Sequence, residues 1–167
     1  MNQIATKPSL IYLHCLPTTY QGIIPESYLD EMGHMNVMWY THLFSCATEG
    51  VFNLVGLTRE YCMNNDAGTF ALESHVRFIA EVAARQRVSM RSRLLGRSAK
   101  LFHFLHFLVN ETTGVLSASG EFIGAHIDMR VRRTSPLPDF VSANYDRILA
   151  EHQQLAWKPP LCGVMKC

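Results

Sequence analysis

The sequence predicts an α+β fold in which a long curved antiparallel sheet wraps around one central helix. Three observations carry this. An apolar run with helical spacing follows Asn36, four long stretches rich in Val, Ile, Phe, Leu and Thr come after it, and short turn segments separate those stretches.

Taken in order, residues 10–16 read as a first strand, and residues 30–36 as a tight turn (Asp30-Glu31-Met32-Gly33-His34-Met35-Asn36). Asn36 is a good N-cap. From it Tyr40, Leu43, Phe44, Ala47, Val51, Leu54 and Val55 recur at three- and four-residue steps, and Gly56 ends the run. Trp39, Cys46 and Phe52 lie between with few charges, so the helix is apolar nearly all round and is expected to be buried. Residues 69–82, 85–95, 101–109 and 115–127 read as strands, with turns at Gly96-Arg97-Ser98 and at residues 110–114. Their short connections predict antiparallel neighbours. Pro136 and Pro138 close the strand region, and residues 139–155 are expected to form a terminal helix packed on the outside. The tail, 157–167, holds two prolines and little periodicity, which fits either a disordered extension or a cover for a neighbour. The expectation is one domain over 1–167, with a core from about residue 10 to residue 138 and a C-terminal helix and tail over 139–167.

Composition narrows the setting. Hydrophobic residues make up 48% of the 167 and charged residues 17%, which is sparse cover for a solitary small globule and points to self-association. The net charge of +1 conceals an excess between Arg77 and Arg133, where ten Lys or Arg face four acids. Such an excess suits a phosphate-bearing ligand. Nucleic acid is not expected, since no helix-turn-helix, zinc pattern or aromatic nucleic-acid motif accompanies the charge. Five cysteines show neither a paired framework nor metal-ligand spacing, which fits free thiols in a reducing compartment. With no convincing signal peptide and no apolar run of membrane-spanning length, the expected location is cytoplasmic, away from membranes.

The chemistry centres on Asp30. A carboxylate just before a helix N-terminus sits beside backbone N–H groups that the helix leaves unpaired, so it can act as base or nucleophile while a neighbouring amide, such as that of Val37, receives a developing oxyanion. Gly33 allows the tight turn and a close approach to the backbone. The plainer alternative makes Asp30 a turn residue capping the helix. His34 either orients a bound carbonyl or Asp30, or simply fixes the loop.

A second carboxylate, Glu73, lies in an apolar stretch where a charge is costly unless paired or used. Glu49, late in the helix, is a further candidate that ranks below Asp30. Trp39, Tyr40, Phe44 and Phe70 are most simply core, yet with Glu73 they can wall an acyl pocket and form an anionic, aromatic box for a quaternary ammonium group. Arg91, Arg93, Arg97, Lys100, Arg130, Arg132 and Arg133 are the pool for phosphate contacts, against the alternative that they merely solvate strand faces. His75, His103 and His106 lack metal spacing, and no metal is expected.

The set Asp30-x-x-Gly33-His34-x-Asn36 with Tyr40 four residues on resembles the signature of hotdog-fold acyl-CoA thioesterases related to 4-hydroxybenzoyl-CoA thioesterase. Val37 stands where that family usually has a second Asn. Two further stretches match more loosely: residues 72–78 with Glu81-Val82, and residues 126–128 before Arg130-Val131-Arg132-Arg133 and Pro136-Leu137-Pro138. Phe70-Ala71-Leu72-Glu73-Ser74-His75 resembles a branch associated with carnitine and betaine breakdown. The resemblance implies a hotdog fold, at least a homodimer, and hydrolysis of an acyl-CoA to free acid and CoA. It also implies catalytic roles for Asp30, His34, Asn36 and the Val37 N–H, substrate contacts at Gly33 and Tyr40, and no cofactor besides the CoA of the substrate. A hotdog hydratase or dehydratase, or a non-catalytic acyl-CoA-binding protein, is the alternative.

Overall fold

The computed structural model describes residues 8–167, and the elements follow one another as α1 (Leu10–His14), β1 (Thr18–Ile23), a 3₁₀ turn (Glu26–Tyr28), α2 (Val37–Leu54), α3 (Arg59–Asn64), β2 (Ala67–Phe78), β3 (Arg87–Arg97), β4 (Leu101–Asn110), β5 (Val115–Asp128), β6 (Arg133–Thr134) and α4 (Asp139–Gln153). The strands form one antiparallel sheet in the order β1-β3-β4-β5-β2, with β6 added to the end of β5. This is the predicted sheet around a helix.

Helix α2 starts where the sequence places it. Asn36 caps it by accepting the Met38 N–H at 3.0 Å, and Gly56 follows its end at φ +87°. Its apolar stripe packs on the inner sheet face in two clusters. Tyr40, Leu43, Phe44 and Ala47 meet Val88, Met90, Leu108 and Ala118, while Val51, Phe52 and Val55 meet Leu94, Phe102, Phe104 and α4. Gly50 lets the helix approach β1, because a Cβ there would collide with the Thr19 carbonyl. The helix is not buried all round, however. Thr41, His42, Ser45 and Glu49 form an exposed stripe that a tally of apolar residues hides.

Two elements differ from the expectation. Residues 10–16 are not a strand: α1 takes up residues 10–14, and β1 begins only after Pro17. Leu13 and Leu16 are buried while Ile11 and Tyr12 are exposed, a three-residue period rather than a two-residue one. The strand order also differs. β2 and β3 are joined by only eight residues, 79–86, yet lie at different places in the sheet, with β5 and β4 between them. Crossing three strand spacings takes about 14 Å, well within the reach of eight residues. The crossing segment is pinned at both ends: Ile79 and Ala80 donate to the Ser117 carbonyl at 2.8 and 3.0 Å, and Arg85 donates to the Ile24 carbonyl at 2.7 Å. The short helix α3, capped by Thr58, was not anticipated.

A polar chain threads the interface between α2 and the sheet. The Thr48 hydroxyl donates to the Phe44 carbonyl at 2.9 Å and must therefore accept from His106 Nε2 at 3.0 Å. His106 Nδ1 then accepts from Ser92 at 2.7 Å, and Ser92 accepts from Thr19 at 2.6 Å. Every member is satisfied by one neutral tautomer, and complete burial pushes the His106 pKa down to about 3.

The outer sheet face is covered by the chain's own ends. α1 packs on Leu105, Phe107, Val109 and Leu116. The tail lies beside it, held by the Arg93 guanidinium 4.3 Å over the Trp157 ring and by Glu121, which accepts the Cys162 N–H at 2.6 Å and meets His103 Nε2 at 2.8 Å. The tail thus packs against its own sheet. α4 guards the part of β3 beyond β1, where His152 Nδ1 accepts the Leu94 N–H at 2.9 Å.

Candidate active site

A cavity of about 430 Å³ opens at the N-terminus of α2, a size usual for small-molecule sites. Asp30, His34, Met35, Asn36, Val37 and Tyr40 line it from the helix side, and Phe78, Ile79, Ala80 and Glu81 line it from the β2 exit. The turn that delivers Asp30 is closed by reciprocal bonds, Asp30 N–H to the His34 carbonyl and Gly33 N–H to the Asp30 carbonyl, both 3.0 Å. Gly33 takes φ +83°, the left-handed conformation that only glycine adopts without strain. Its side-chain position faces open space, so the turn itself calls for the glycine.

One Asp30 oxygen accepts the Met32 N–H at 2.9 Å, and the other lies 3.5 Å from His34 Nδ1. Asp30 is thus both turn-former and pocket carboxylate. Two of the first amides of α2 are taken, Met38 by the Asn36 side chain and Trp39 by the Asn36 carbonyl at 2.9 Å. The Val37 N–H has no partner among the described residues. A carbonyl bound there would meet an unsatisfied donor and the positive end of the helix dipole, with a carboxylate in the same cavity.

The second wall comes from the crossing segment. Met35 N–H donates to the Val82 carbonyl at 2.8 Å, joining that segment to the Asp30 turn, and an Arg85–Glu26 ion pair at 2.7 Å ties its far end. Tyr40 is buried with its hydroxyl 3.4 Å from the Ala80 carbonyl, and its ring meets Phe78 edge-on at 5.2 Å. Burial, and next the charge of Glu81, push the Tyr40 pKa up. Glu81 is a lining carboxylate that the sequence pattern places near the end of the strand read over residues 69–82, outside the site candidates. The signal for it was the unexpected strand order, which requires the segment after Phe78 to cross the helix N-terminus.

The remaining sequence candidates lie elsewhere. Glu73 and its neighbours Leu72, Ser74 and His75 are exposed on β2, whose outer edge has no partner strand among the described residues, so Glu73 bears no burial cost in this chain. Glu49 lies on the exposed stripe of α2. Phe70 lies toward the far end of β2, with the Arg132 guanidinium 5.5 Å over its ring. Arg130 pairs with Asp128 at 3.0 Å, and Arg133 is exposed in β6. Arg91 reaches Glu111 at 3.5 Å on the outer face. Arg93 is 6% exposed and donates to the Trp157 and His152 carbonyls at 2.9 and 3.0 Å, so it clamps the tail and has no access to a phosphate. Among the described residues no group of three His, Cys, Asp or Glu is arranged to hold a metal ion, and no helix is long and apolar enough to cross a membrane.

Comparison with known proteins adds to this geometry. The betainyl-CoA thioesterase of Pseudomonas aeruginosa is 30% identical over 141 residues, covering 83% of this chain and 87% of that protein. The L-carnitine dehydrogenase/betainyl-CoA thioesterase of Agrobacterium fabrum is 29% identical over 134 residues; the match covers 80% of this chain but only 27% of that longer protein. Among solved structures, a hypothetical protein of Staphylococcus aureus in complex with CoA superposes with a TM-score of 0.80 at 18% identity, over 91% of this chain and 96% of the other. Residues 25–145 match the profile of the Thioesterase-like superfamily, and the chain belongs to that family.

Proposed function

We propose that this chain hydrolyses acyl-CoA thioesters to free acid and CoA, with an acyl group of the betaine type. The observation that carries the reading is the presence of the Asp30 carboxylate and the unpartnered Val37 N–H in one cavity at the N-terminus of α2. The thioester carbonyl is polarised by the Val37 amide, and the developing oxyanion is stabilised there. Asp30 either takes a proton from water as it attacks or attacks the carbonyl itself. On both routes the C–S bond breaks and the sulfur leaves as CoA thiolate and gains a proton; water adds directly to the acyl carbon on the first, and on the second it hydrolyses the acyl-Asp30 anhydride and restores the carboxylate. His34 orients Asp30, and Asn36 holds the helix start. The chain's own residues suffice for this chemistry, with no metal or redox cofactor. The betaine assignment is supported by the relatives' substrate and by the resemblance over residues 70–75.

The working unit is a homodimer formed through β2. In support, its open edge is exposed at residues 72–75, and Leu72 and Phe78 are each 54% exposed. Antiparallel pairing centred on Ser74 sets Phe70 of one copy across from Phe78 of the other, which brings Arg132 and its neighbours Arg130 and Arg133 toward the second cavity as phosphate contacts. The five unpaired thiols fit the cytoplasm.

A hydrolysis screen tests the reading, with a thiol-reactive dye and aliphatic, aromatic and trimethylammonium acyl-CoAs. Thiol release is expected, strongest for the cationic acyl group. Hydration of an enoyl-CoA without thiol release, or stable retention of intact acyl-CoA over hours, would overturn it. Sedimentation as a compact monomer at micromolar concentration would overturn the dimer.

A further inference from the structure

We propose that Glu81, set in the cavity with Tyr40 and Phe78, is the counter-charge for a quaternary ammonium group on the acyl chain and selects cationic acyl groups. The inference rests on the thioesterase reading and names its acyl specificity.

The first argument is electrostatic. The cavity lining holds two carboxylates and one imidazole but no Lys or Arg. Asp30 is engaged by the Met32 N–H and lies beside His34. Glu81 is an exposed residue of the cavity wall and makes no hydrogen bond and no ion pair among the described residues, so its carboxylate is open to a ligand that enters there. An acyl group ending in a second carboxylate is repelled by both acids, whereas a fixed cation is attracted.

The second argument is shape. Tyr40 and Phe78 stand at 82° to each other with centroids 5.2 Å apart, giving two aromatic walls that meet at a corner. A trimethylammonium group has no hydrogen to donate and is recognised by such faces with a nearby anion. The buried Tyr40 hydroxyl donates to the carbonyl of Ala80 at 3.4 Å, which sets the backbone next to Glu81 against the same corner.

The third argument is reach. In a betainyl thioester one methylene separates the carbonyl carbon from the nitrogen, roughly 2.5 Å apart by standard bond lengths. Its counter-charge must therefore line the cavity that holds the attacking group. Glu81 does so, and Glu73, which is not among the lining residues, does not.

The test compares betainyl-CoA with its neutral isostere 3,3-dimethylbutyryl-CoA in the wild-type protein, Glu81→Gln and Glu81→Lys, following thiol release. In Glu81→Gln the ratio of kcat/KM for the cationic over the neutral substrate is expected to fall roughly tenfold, the scale of a lost cation partner in a partly exposed site. In Glu81→Lys it falls further. An unchanged ratio in both variants, with the neutral substrate still hydrolysed, overturns the role of Glu81 and leaves the thioesterase reading standing. Failure of the wild-type protein to release thiol from any acyl-CoA overturns both. Inhibition of the wild-type enzyme needs no variant: glycine betaine is expected to inhibit more strongly than 3,3-dimethylbutyrate, and equal inhibition overturns the proposal.

Discussion

Met35 donates its backbone N–H to the Val82 carbonyl at 2.8 Å, and through this bond the turn carrying Asp30 and the segment carrying Glu81 form one unit. Two stretches far apart in sequence thus supply the two walls of one cavity. Asp30 comes from the entrance to α2, and Glu81 from the crossing between an edge strand and the interior of the sheet.

Gly50 gives a sharp test of the packing. In an exposed helix, glycine to alanine stabilises by about 1 kcal/mol. Here the added methyl meets the Thr19 carbonyl, and backbone on both sides must shift. Gly50→Ala is expected to destabilise by roughly 1 to 3 kcal/mol, the range for overpacking, read as a lower Tm. A higher Tm would show that α2 and β1 are not in close contact.

The tail separates structural from functional arginines. Arg93→Gln removes the cation from the Trp157 face and leaves two carbonyls without their donors. Its expected cost is roughly 2 to 4 kcal/mol, with little change in KM. Arg132→Gln is expected to do the opposite: Tm stays, and KM rises for acyl-CoA more than for a pantetheine thioester that lacks the phosphates. Equal losses on both substrates would remove Arg132 from the phosphate contacts.

The parts of this protein that were legible in the sequence are those fixed by local spacing. Asn36, the helical stripe from Tyr40 to Val55 and Gly56 define α2, and the four long strands stand out by composition and turns. Asp30, Gly33 and His34 were readable because one tight turn holds all three. What was not legible depends on which distant pieces meet. The short step from residue 82 to residue 85 looks like a hairpin connection between the strands read over 69–82 and 85–95, and nothing local says that the first ends at Phe78 and pairs with β5 instead. For the same reason Glu81 was passed over, and Arg93 looked like a phosphate ligand until Trp157 was found on it. The misread residues 10–16 are different, since the three-residue period of Leu10, Leu13 and Leu16 was present and the β-rich composition outweighed it.

Acid sensitivity follows from two buried imidazoles. Burial holds His106 at about 3, and burial with the nearby Arg93 charge holds His152 at about 4, against about 6.5 in an unfolded chain. Between these values the unfolded state binds more protons, so stability rises with pH. The contribution is complete above about pH 6.5 and is lost as pH falls toward 4 and then 3. Tm is expected to begin falling below about pH 6.5, before the carboxylates start to titrate at about 4. His106→Gln should show a shallower slope whatever its Tm at pH 7, and a slope equal to wild type would mean that His106 is not held neutral.

Asp30 is expected to carry the chemistry, and its geometry makes the conservative variant informative. Asp30→Asn retains an oxygen for the Met32 N–H and leaves the backbone bonds among Asp30, Gly33 and His34 in place, so the turn and the start of α2 persist. The variant loses the charge that accepts a proton or attacks carbon. kcat is expected to fall by roughly two or more orders of magnitude, the scale for losing a general base, while KM and Tm change little. If single turnover in ¹⁸O-water labels the Asp30 carboxylate, Asp30 is the nucleophile, since only water attack on its side of an acyl-Asp30 anhydride puts the label there. A near-normal kcat in Asp30→Asn would return Asp30 to the role of turn residue and leave Glu81 as the other carboxylate lining the cavity of the Val37 amide.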